Sequence, residues 1–593
     1  MPVGALIDPQ ARREDAATSG TAVWLNLVHE PIYATLHEPE TQHRNIAVLM
    51  LPTFGWDESC SYRARRHWAS SYAEAGFPTV RFDLPGSEDS VGSPLAPSRF
   101  GSWVEAVTAV AAWLRQSSGA DRVVAVGIGL GGLLAREALC VGAGIDDLVL
   151  WATPSRGRSY IRELRMYADA MSRDGSEPER VDGAIAIGGH LMSKQTVDAI
   201  SAASGVVQHA ADRRILMIER DTNGIDEALR TQFVASGADV TVMPSDEYLA
   251  MMTFPDWSRL PTQTIAASVQ WLETAAGRNP APRSLLDSSA VAREISFEYD
   301  GQMIRERQVT FDTVAGALVG ILSEPVGLTP KPLCLISHNA GAIRRTGPGR
   351  MWTDMCRRSA ARGLPSLRVD IEGVGDSSGR FVKNAERGAQ DEYRIISSRV
   401  EIADLLEVEG VATRFVSVGL CLAAYWEFKV AVRDPRLRGT ILLNHLAFDW
   451  TPEAQQERVR RSALGVLRHV FKPLPDGQRA LTLESIRRMA YAVVLTLRGS
   501  VSAAERSQFK AAVRQFDSLL ASHTRILMLF SSTEALYGQM RGSGLLGILS
   551  RWPEIQVEEL PSKDHDLRPL HVQALVHERV DRFIDELLAT PDS

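Results

Sequence analysis

The chain has 593 residues, of which 45% are apolar and 23% charged, and its formal net charge at pH 7 is −7. This length exceeds what one hydrophobic core usually holds and indicates two to four domains, while the composition excludes a largely disordered chain. The acidic balance gives no electrostatic reason to propose nucleic acid as a partner, and no apolar run reaches the roughly 18 residues that membrane insertion requires. Five cysteines without paired or metal-ligand spacing predict a reducing cytoplasm and no metal site.

Strands and helices alternate through the first half of the chain. Apolar, β-branched runs predict the strands, and apolar residues at helical spacing predict the helices. The strands are predicted at about 22–28, 32–36, 46–51, 78–82, 122–126, 147–151, 214–218 and 239–243, and the helices at about 61–75, 100–115, from 225, and 263–275. An insertion over 154–211 is predicted to be irregular. Such alternation predicts a mostly parallel sheet covered by helices on both faces.

A second unit of the same kind follows a segment rich in turn residues. Residues 277–289 contain Gly-Arg-Asn-Pro-Ala-Pro-Arg-Ser and are interpreted as a linker. Further strands are predicted at about 294–297, 307–311, 316–322, 333–337, 366–369, 414–418, 439–443, 525–530 and 555–560, with a final helix at about 571–588. We therefore predict an α/β protein with two tandem domains. Its parts are an extension over 1–20, a domain over 21–276, the linker, and a domain over 290–593 with a helical lid at about 451–522.

Two motifs recur at nearly constant spacing. The run Arg-Phe-Asp-Leu-Pro-Gly-Ser-Glu-Asp-Ser at 81–90 returns as Arg-Val-Asp-Ile-Glu-Gly-Val-Gly-Asp-Ser at 368–377, an offset of 287. The run Val-Gly-Ile-Gly-Leu-Gly at 126–131 returns as Val-Gly-Leu-Cys-Leu-Ala at 418–423, an offset of 292. Because such offsets rarely agree by chance, they predict two copies of one domain.

A strand that turns sharply into a helix is predicted at 415–425, with Cys421 at the turn. A nucleophile elbow requires small residues two positions before and two after the nucleophile, and Gly419 and Ala423 meet this requirement. Here the sequence resembles the α/β-hydrolase superfamily, with cysteine where most members have serine. The runs Asn-Ala-Gly at 339–341 and Gly-Val-Gly-Asp-Ser at 373–377 resemble serine-aminopeptidase-like and exosortase-associated hydrolases.

The resemblance implies a catalytic triad, because α/β-hydrolases carry nucleophile, acid and histidine in that chain order at the ends of strands. Cys421 is then the nucleophile and Glu534, shortly after a predicted strand, the orienting acid. His565, in the loop after the next strand, is the general base. Asp564 or Asp566 is an alternative to Glu534. A thiol at a helix N-terminus beside an imidazole is favoured as the reactive thiolate.

An oxyanion hole is implied on either side of this elbow. Its donors would be the backbone N–H groups of Leu422, just past the nucleophile, and Ala340, in the loop after the third core strand. His338 and Asn339 are expected to brace that loop and are also candidate substrate contacts. The acidic residues of the recurring Arg-x-Asp motif are expected to form structural turns rather than to take part in catalysis.

The first copy lacks equivalent machinery. Gly129 occupies its elbow and has no side chain that could form a covalent intermediate, and Tyr248 stands at the histidine position. Asp221 remains at the acid position. We predict that this domain is catalytically inactive; the alternative is a non-covalent pocket in which Tyr248 and Asp221 contact a ligand.

Similar cysteine-elbow proteins include aminoacyl-shuttling transferases of nonribosomal peptide assembly and polyhydroxyalkanoate synthases. The resemblance therefore implies cysteine-dependent acyl transfer on an ester or thioester, without a cofactor. A plain esterase, thioesterase or peptidase and a non-catalytic interaction protein are the alternatives. A basic stretch of the predicted lid is either a solvated face or a docking surface for an acidic acyl or peptidyl carrier protein: Arg458, Arg460, Arg461 and Arg468.

Overall fold

Two nine-stranded sheets form the scaffold in a computed structural model that describes residues 20–40, 42–172, 184–205, 212–448 and 513–589. The strands are β1 (Thr21–Leu25), β2 (Ile32–His37), β3 (Ile46–Met50), β4 (Thr79–Phe82), β5 (Arg122–Ile128), β6 (Asp147–Trp151), β7 (Ile185–Ile187), β8 (His190–Met192), β9 (Arg214–Ile218), β10 (Asp239–Met243), β11 (Val291–Ala292), β12 (Glu294–Tyr299), β13 (Gln302–Thr313), β14 (Gly316–Pro325), β15 (Cys334–His338), β16 (Ser366–Val369), β17 (Phe415–Leu420), β18 (Leu437–Leu443), β19 (Arg525–Ser531) and β20 (Ile555–Leu560). The helices are α1 (Trp56–Glu74), α2 (Arg99–Ser118), α3 (Leu130–Cys140), α4 (Gly157–Ser172), α5 (Lys194–Ala202), α6 (Glu227–Ala235), α7 (Tyr248–Met251), α8 (Thr262–Glu273), α9 (Met351–Ala361), α10 (Ala389–Val408), α11 (Leu422–Arg433), α12 (513–521), α13 (Ala535–Ser543), α14 (Leu545–Leu549) and α15 (Leu570–Ala589).

Both sheets have the same strand order. From the antiparallel edge, the first sheet reads β11-β1-β2-β4-β3-β5-β6-β9-β10 and the second reads β12-β13-β14-β16-β15-β17-β18-β19-β20. In each sheet the first three junctions are antiparallel and the other five are parallel. The predicted fold class, an α/β protein with two mostly parallel sheets flanked by helices, is confirmed. Position by position, β17 corresponds to β5, β19 to β9 and β20 to β10.

Alternation along the central strands explains why the sheets are covered on both faces. In β5, Val123 and Ala125 belong to one buried apolar cluster, whereas Val124 and Val126 belong to another. Successive side chains of a strand point to opposite faces, so a continuous apolar run requires helices on both sides. The carboxyl ends of the parallel strands are thereby fixed along one edge, where the connecting loops meet.

Three details differ from the sequence prediction. The insertion over 154–211 is not irregular where the structure describes it, because it contains α4, the β7–β8 hairpin and α5. In α4 the apolar residues Tyr160, Ile161 and Leu164 are buried at helical spacing. Helix α1 begins at Trp56, earlier than predicted, and β11 extends the first sheet by pairing with β1.

Most of the predicted helical lid at about 451–522, including its basic stretch, and most of the N-terminal extension lie outside the described residues. Among the residues that are described, no helix has the length and apolar character needed to cross a membrane.

Reciprocal ion pairs join the two halves of the chain. Arg81 Nη2 donates to Asp376 Oδ1 at 3.0 Å, and Arg368 Nε donates to Asp89 Oδ1 at 2.9 Å. Arg368 and Asp376 lie 287 positions after Arg81 and Asp89. Each half therefore contributes an equivalent arginine and an equivalent aspartate to the contact. The motif predicted to form structural turns therefore also forms the contact between the halves.

Arg345 lies at the centre of this contact and is fully buried. Its guanidinium group is 2.8 Å from Asp89, 2.6 Å from Asp370 and 3.0 Å from Asp376. Burial alone would raise the pKa of the Asp376 carboxyl, but Arg345 and Arg81 outweigh burial and hold that pKa well below its ordinary value. Asp376 is therefore charged in the folded protein, and removing it leaves Arg81 and Arg345 without one of their buried counter-charges.

Replacing Asp376 with asparagine is expected to destabilise the protein by about 3 to 5 kcal/mol, because Arg81 and Arg345 lose a buried counter-charge. Urea unfolding followed by circular dichroism measures this difference at pH 7. The depressed pKa also sets a pH dependence. The stabilisation by Asp376 is complete above the unfolded-state pKa of about 3.9 and is lost as the pH falls towards the folded-state value.

Asp312→Asn is the matched control, because Asp312 is exposed on β13, and its free energy of unfolding should stay within about 0.5 kcal/mol of wild type. Wild type should lose stability more steeply than Asp376→Asn when the pH is lowered through 4. Equal stability of the two variants would contradict a structural role for the buried network.

Candidate active site

The nucleophile elbow lies between β17 and α11. Cys421 has φ 65° and ψ −121°, a conformation that a residue with a Cβ rarely adopts. A Cβ placed on Gly419 would lie 2.7 Å from the carbonyl carbon of Ala423, so only glycine fits there. This backbone conformation places Cys421 between the carboxyl end of β17 and the N-terminus of α11.

The structure brings the three predicted triad residues together. His565 lies in the loop after β20, and its Nδ1 is 2.8 Å from Oε1 of Glu534, which follows β19 and precedes α13. Cys421 is near enough to His565 to act on its pKa through both charge and a hydrogen bond. The His565 side chain is 37% exposed and that of Glu534 is 10% exposed, so the base is accessible while the acid is shielded.

The electrostatics of the histidine favour its protonated form. Burial would lower the pKa of His565, but the charge of a Cys421 thiolate and the hydrogen bonds with Cys421 and Glu534 raise it well above the ordinary value. An imidazolium next to a thiolate is the form in which a cysteine is a strong nucleophile. The arrangement can therefore support nucleophilic chemistry at neutral pH.

Glu534, rather than a neighbouring aspartate, reaches the imidazole. Asp564 instead accepts hydrogen bonds from Arg568 Nη2 at 2.7 Å and from Arg568 Nε at 2.8 Å. These bonds hold the pKa of Asp564 below its ordinary value although burial would raise it. Asp566 contributes a negative charge near His565.

Three side chains that the sequence prediction missed hold the histidine loop through hydrogen bonds to its backbone carbonyl groups. Asn444, directly after β18, donates from Nδ2 to the carbonyl oxygen of His565 at 2.6 Å. Ser531 Oγ donates to the carbonyl of Asp564 at 2.7 Å, and Thr533 Oγ1 donates to that of Lys563 at 3.0 Å. The signal was present, since each of these polar residues lies at the end of a buried strand or within two positions of it.

The predicted oxyanion donors flank the elbow. Leu422 is the first residue of α11, and Ala340 lies in the loop after β15. Within the described parts of the chain, neither backbone N–H donates a hydrogen bond. Asn339 braces this loop as predicted, because its Nδ2 donates to Ile343 O at 2.8 Å and its Oδ1 accepts from Ile371 N at 2.6 Å. Asn339 is fully buried, so it does not line a substrate pocket here.

The His338 side chain is buried between β15 and α11 in this structure. Its side chain is 4% exposed, and its Nδ1 lies 2.8 Å from Oε1 of Glu427 on α11. Arg399 approaches the same oxygen at 3.2 Å. His338 ends a central strand beside Glu427 and Arg399, and burial holds the pKa of its imidazole below the ordinary histidine value.

The elbow of the first half has the same backbone without the nucleophile. Gly129 has φ 54° and ψ −112°, and its N–H donates to Trp151 O at 2.9 Å, as that of Cys421 donates to Leu443 O at 2.9 Å. A Cβ on Gly129 would have no atom within 4 Å. The space that the thiol occupies in the second half is therefore open.

The other counterpart positions in the first half make different contacts. Tyr248 is 5% exposed and its ring packs edge-on against that of Trp151 at 5.4 Å. Asp221 accepts a hydrogen bond from Leu249 N at 3.0 Å through Oδ2, and Arg220 lies over the Tyr248 ring at 4.8 Å. Tyr248 thus packs as a buried aromatic residue where the second half has its base.

The oxyanion position of the first half is already occupied. Met50 pairs with Arg81 as Ser337 pairs with Arg368, so Thr53 corresponds to Ala340. The N–H and Oγ1 of Thr53 both donate to Oε2 of Glu58 at 3.0 Å. An internal carboxylate therefore accepts the N–H that corresponds to a predicted oxyanion donor of the second half.

Side chains of both halves line a cavity next to the oxyanion loop. Tyr62 and Arg63 from the first half line this cavity together with Ile343, Val374 and Phe381 from the second half. In the described residues, no group of three His, Cys, Asp or Glu side chains is placed to hold a metal ion.

Comparison with known proteins agrees with this architecture. Residues 48–311 match the model of the alpha/beta hydrolase family. No curated protein sequence matches the chain.

Solved structures with a similar fold include Est1E from Butyrivibrio proteoclasticus, which is 15% identical, with a TM-score of 0.28 and coverage of 50% of this chain and 100% of that one. A thermophilic esterase from Thermogutta terrifontis is 18% identical, with a TM-score of 0.29 and coverage of 48% and 100%. A hydrolase from Agrobacterium vitis S4, described as putative, is 15% identical, with a TM-score of 0.31 and coverage of 43% and 97%. The family match over residues 48–311 and the strand order of both sheets agree in giving the α/β-hydrolase fold.

Proposed function

We propose that this protein is a cysteine-dependent acyltransferase that acts on an ester or thioester. The observation that carries the proposal is the contact chain from Glu534 through His565 to Cys421 on a strained elbow. Strain at this position is stabilised by the surrounding fold, and such outliers concentrate at functional sites.

Acylation begins with attack of the Cys421 thiolate on the substrate carbonyl. The carbonyl oxygen becomes an oxyanion, which the N–H groups of Leu422 and Ala340 stabilise. When the intermediate collapses, the bond to the leaving alcohol or thiol breaks and protonated His565 gives its proton to that group. A thioester on Cys421 and a neutral imidazole remain, with Glu534 holding the ring in place.

Deacylation runs the same steps with a new nucleophile. His565 removes the proton from an acceptor amine, thiol or alcohol, which attacks the thioester carbonyl. Collapse expels the Cys421 thiolate and releases the acylated acceptor, and the proton stays on His565. Water as the acceptor would make the protein a plain esterase, thioesterase or peptidase. We favour transfer because thioesters are captured readily by amines and thiols.

We further propose that the first half is catalytically inactive. Gly129 supplies no nucleophile, Tyr248 replaces the base, and Glu58 occupies the oxyanion position. This last contact also opposes an acyl ligand at that site. We also propose a division into domains over 21–276 and 290–593, in which β11 of the second range completes the first sheet.

The partner and the compartment are part of the same proposal. An acyl or peptidyl carrier protein is the proposed donor, because its thioester matches the proposed chemistry. All five cysteines are free, which favours a reducing compartment and hence the cytoplasm.

Incubation of the protein with a carrier-bound acyl thioester is expected to add the mass of one acyl group to wild type. Cys421→Ala should show no adduct, because the nucleophile is absent. Intact-protein mass spectrometry measures the adduct. Release of the acyl group should be faster with an added amine or thiol than in water alone.

Cys356→Ala serves as the control, because this second cysteine is buried at α9 and should leave the adduct unchanged. Release by water at an unchanged rate in the presence of every acceptor would indicate a hydrolase. An adduct that persists in Cys421→Ala would exclude the proposed chemistry, and no adduct with any ester or thioester would favour an interaction protein.

The double variant Gly129→Cys, Cys421→Ala is expected to fold. Its free energy of unfolding should be about 1 to 3 kcal/mol lower, because cysteine adopts the positive φ with strain. The introduced cysteine should react with iodoacetamide at pH 7 at least about tenfold more slowly than Cys421 does in wild type, because Tyr248 cannot ionise it. Peptide mapping after timed labelling measures both rates. Equal rates would show that the first half retains an activating environment.

A further inference from the structure

The hairpin of β7 and β8, in the first half, reaches the histidine loop of the second half. Its turn consists of Gly188 and Gly189, with φ of 56° and 87°. A Cβ on Gly189 would lie 2.9 Å from the carbonyl oxygen of Arg568, 2.9 Å from Gln573 Nε2 and 2.9 Å from Gly349 Cα. The two halves therefore meet backbone to backbone, three residues beyond His565.

The contact with Arg568 continues to the catalytic histidine. Asp564 Oδ2 accepts from the backbone N–H of Arg568 at 3.0 Å, in addition to the two guanidinium bonds described above. Gln573 Nε2 donates to Arg568 O at 3.0 Å, which fixes the carbonyl that Gly189 touches. Since Asp564 is the neighbour of His565, displacement of Arg568 moves the backbone that carries the imidazole.

A second contact from the first half reaches the same arginine. The guanidinium carbon of Arg568 lies 5.9 Å from the centre of the Trp56 ring, at the start of α1. A Cβ on Gly188 would lie 3.3 Å from Trp56 Cε3, so the hairpin turn and the tryptophan also pack together. Two elements of the first half thus bear on one residue of the histidine loop.

We propose that the first half acts as a positioning element for His565, through Gly189 and Trp56 against Arg568. The inference rests on the proposed function, in which His565 is the base that serves Cys421. It gives the catalytically inactive half a role in the chemistry of the other half. Gly189 and Trp56 are positioning residues, because neither contacts Cys421.

The test measures alkylation of Cys421 by iodoacetamide in the full chain at pH 7 and pH 9, with peptide mapping. Gly189→Ala should lower the rate at pH 7 by about tenfold to 100-fold, as a displacement of about 1 Å in a catalytic group does. At pH 9 the rate should change much less, because an ordinary thiol, with a pKa of about 8.5, is then mostly ionised. If the substitution only reduced the amount of folded protein, the alkylation rates at pH 7 and pH 9 would fall by the same factor.

Gly142→Ala is the matched control, because Gly142 has φ 86° and a Cβ there would meet no atom within 4 Å. It imposes the same backbone strain without a collision and should keep the wild-type ratio of the two rates. If Gly189→Ala does not fold, Trp56→Leu carries the test, and its rate at pH 7 should fall at least about threefold by loss of the cation–π contact.

Two results have distinct meanings. Wild type and His565→Ala alkylated at the same rate at pH 7 would overturn the proposed function itself. Wild type faster than His565→Ala, with Gly189→Ala and Trp56→Leu both indistinguishable from wild type, would leave that function standing and overturn the positioning role of the first half.

Discussion

The reciprocal exchange of arginine and aspartate between the two halves is the constraint on which the rest of the structure depends. Arg81 and Arg368 each cross to the opposite half and meet Asp376 and Asp89, with Arg345 between them. In a two-fold symmetric dimer, each subunit contributes the same residues to the interface, so that every contact occurs twice. Here both partners are in one chain. Loss of one partner would leave a buried charge uncompensated, which is energetically costly. The network therefore holds the two halves in one fixed arrangement.

The same backbone therefore serves two purposes. Cys421 and Gly129 have nearly equal φ and ψ and equivalent hydrogen bonds, yet one site has an imidazole beside it and the other a packed tyrosine. Glu58 extends the difference, since it takes the hydrogen bonds that an oxyanion would need in the first half. Under the proposed function, the first half carries out no chemistry and its loops support the second half. A conformation that is strained for cysteine is easily adopted by glycine, which explains how the elbow persists without a nucleophile.

Much of this architecture follows from local pattern, and the rest does not. Apolar β-branched runs predicted the central strands, and the positions of Glu534 and His565 after strands predicted loops that the fold brings together at one edge. Helix α4 was missed because the insertion was predicted to be irregular, although Tyr160, Ile161 and Leu164 lie at helical spacing. The pairing of His338 with Glu427, the bond from Glu58 to Thr53 and the ion pairs between the halves were beyond prediction. They join residues whose proximity depends on the packing of helices and whole sheets.

The central claim is that a cysteine thiolate and an imidazolium form a pair above the second sheet. Its most direct measurement is the pH titration of the His565 ring by nuclear magnetic resonance, with labelled histidine in wild type and in Cys421→Ala. The account predicts that the wild-type ring titrates well above the ordinary histidine pKa of about 6.5, and that its pKa falls markedly when the thiol is removed. A wild-type pKa near 6.5 that Cys421→Ala leaves unchanged would contradict it.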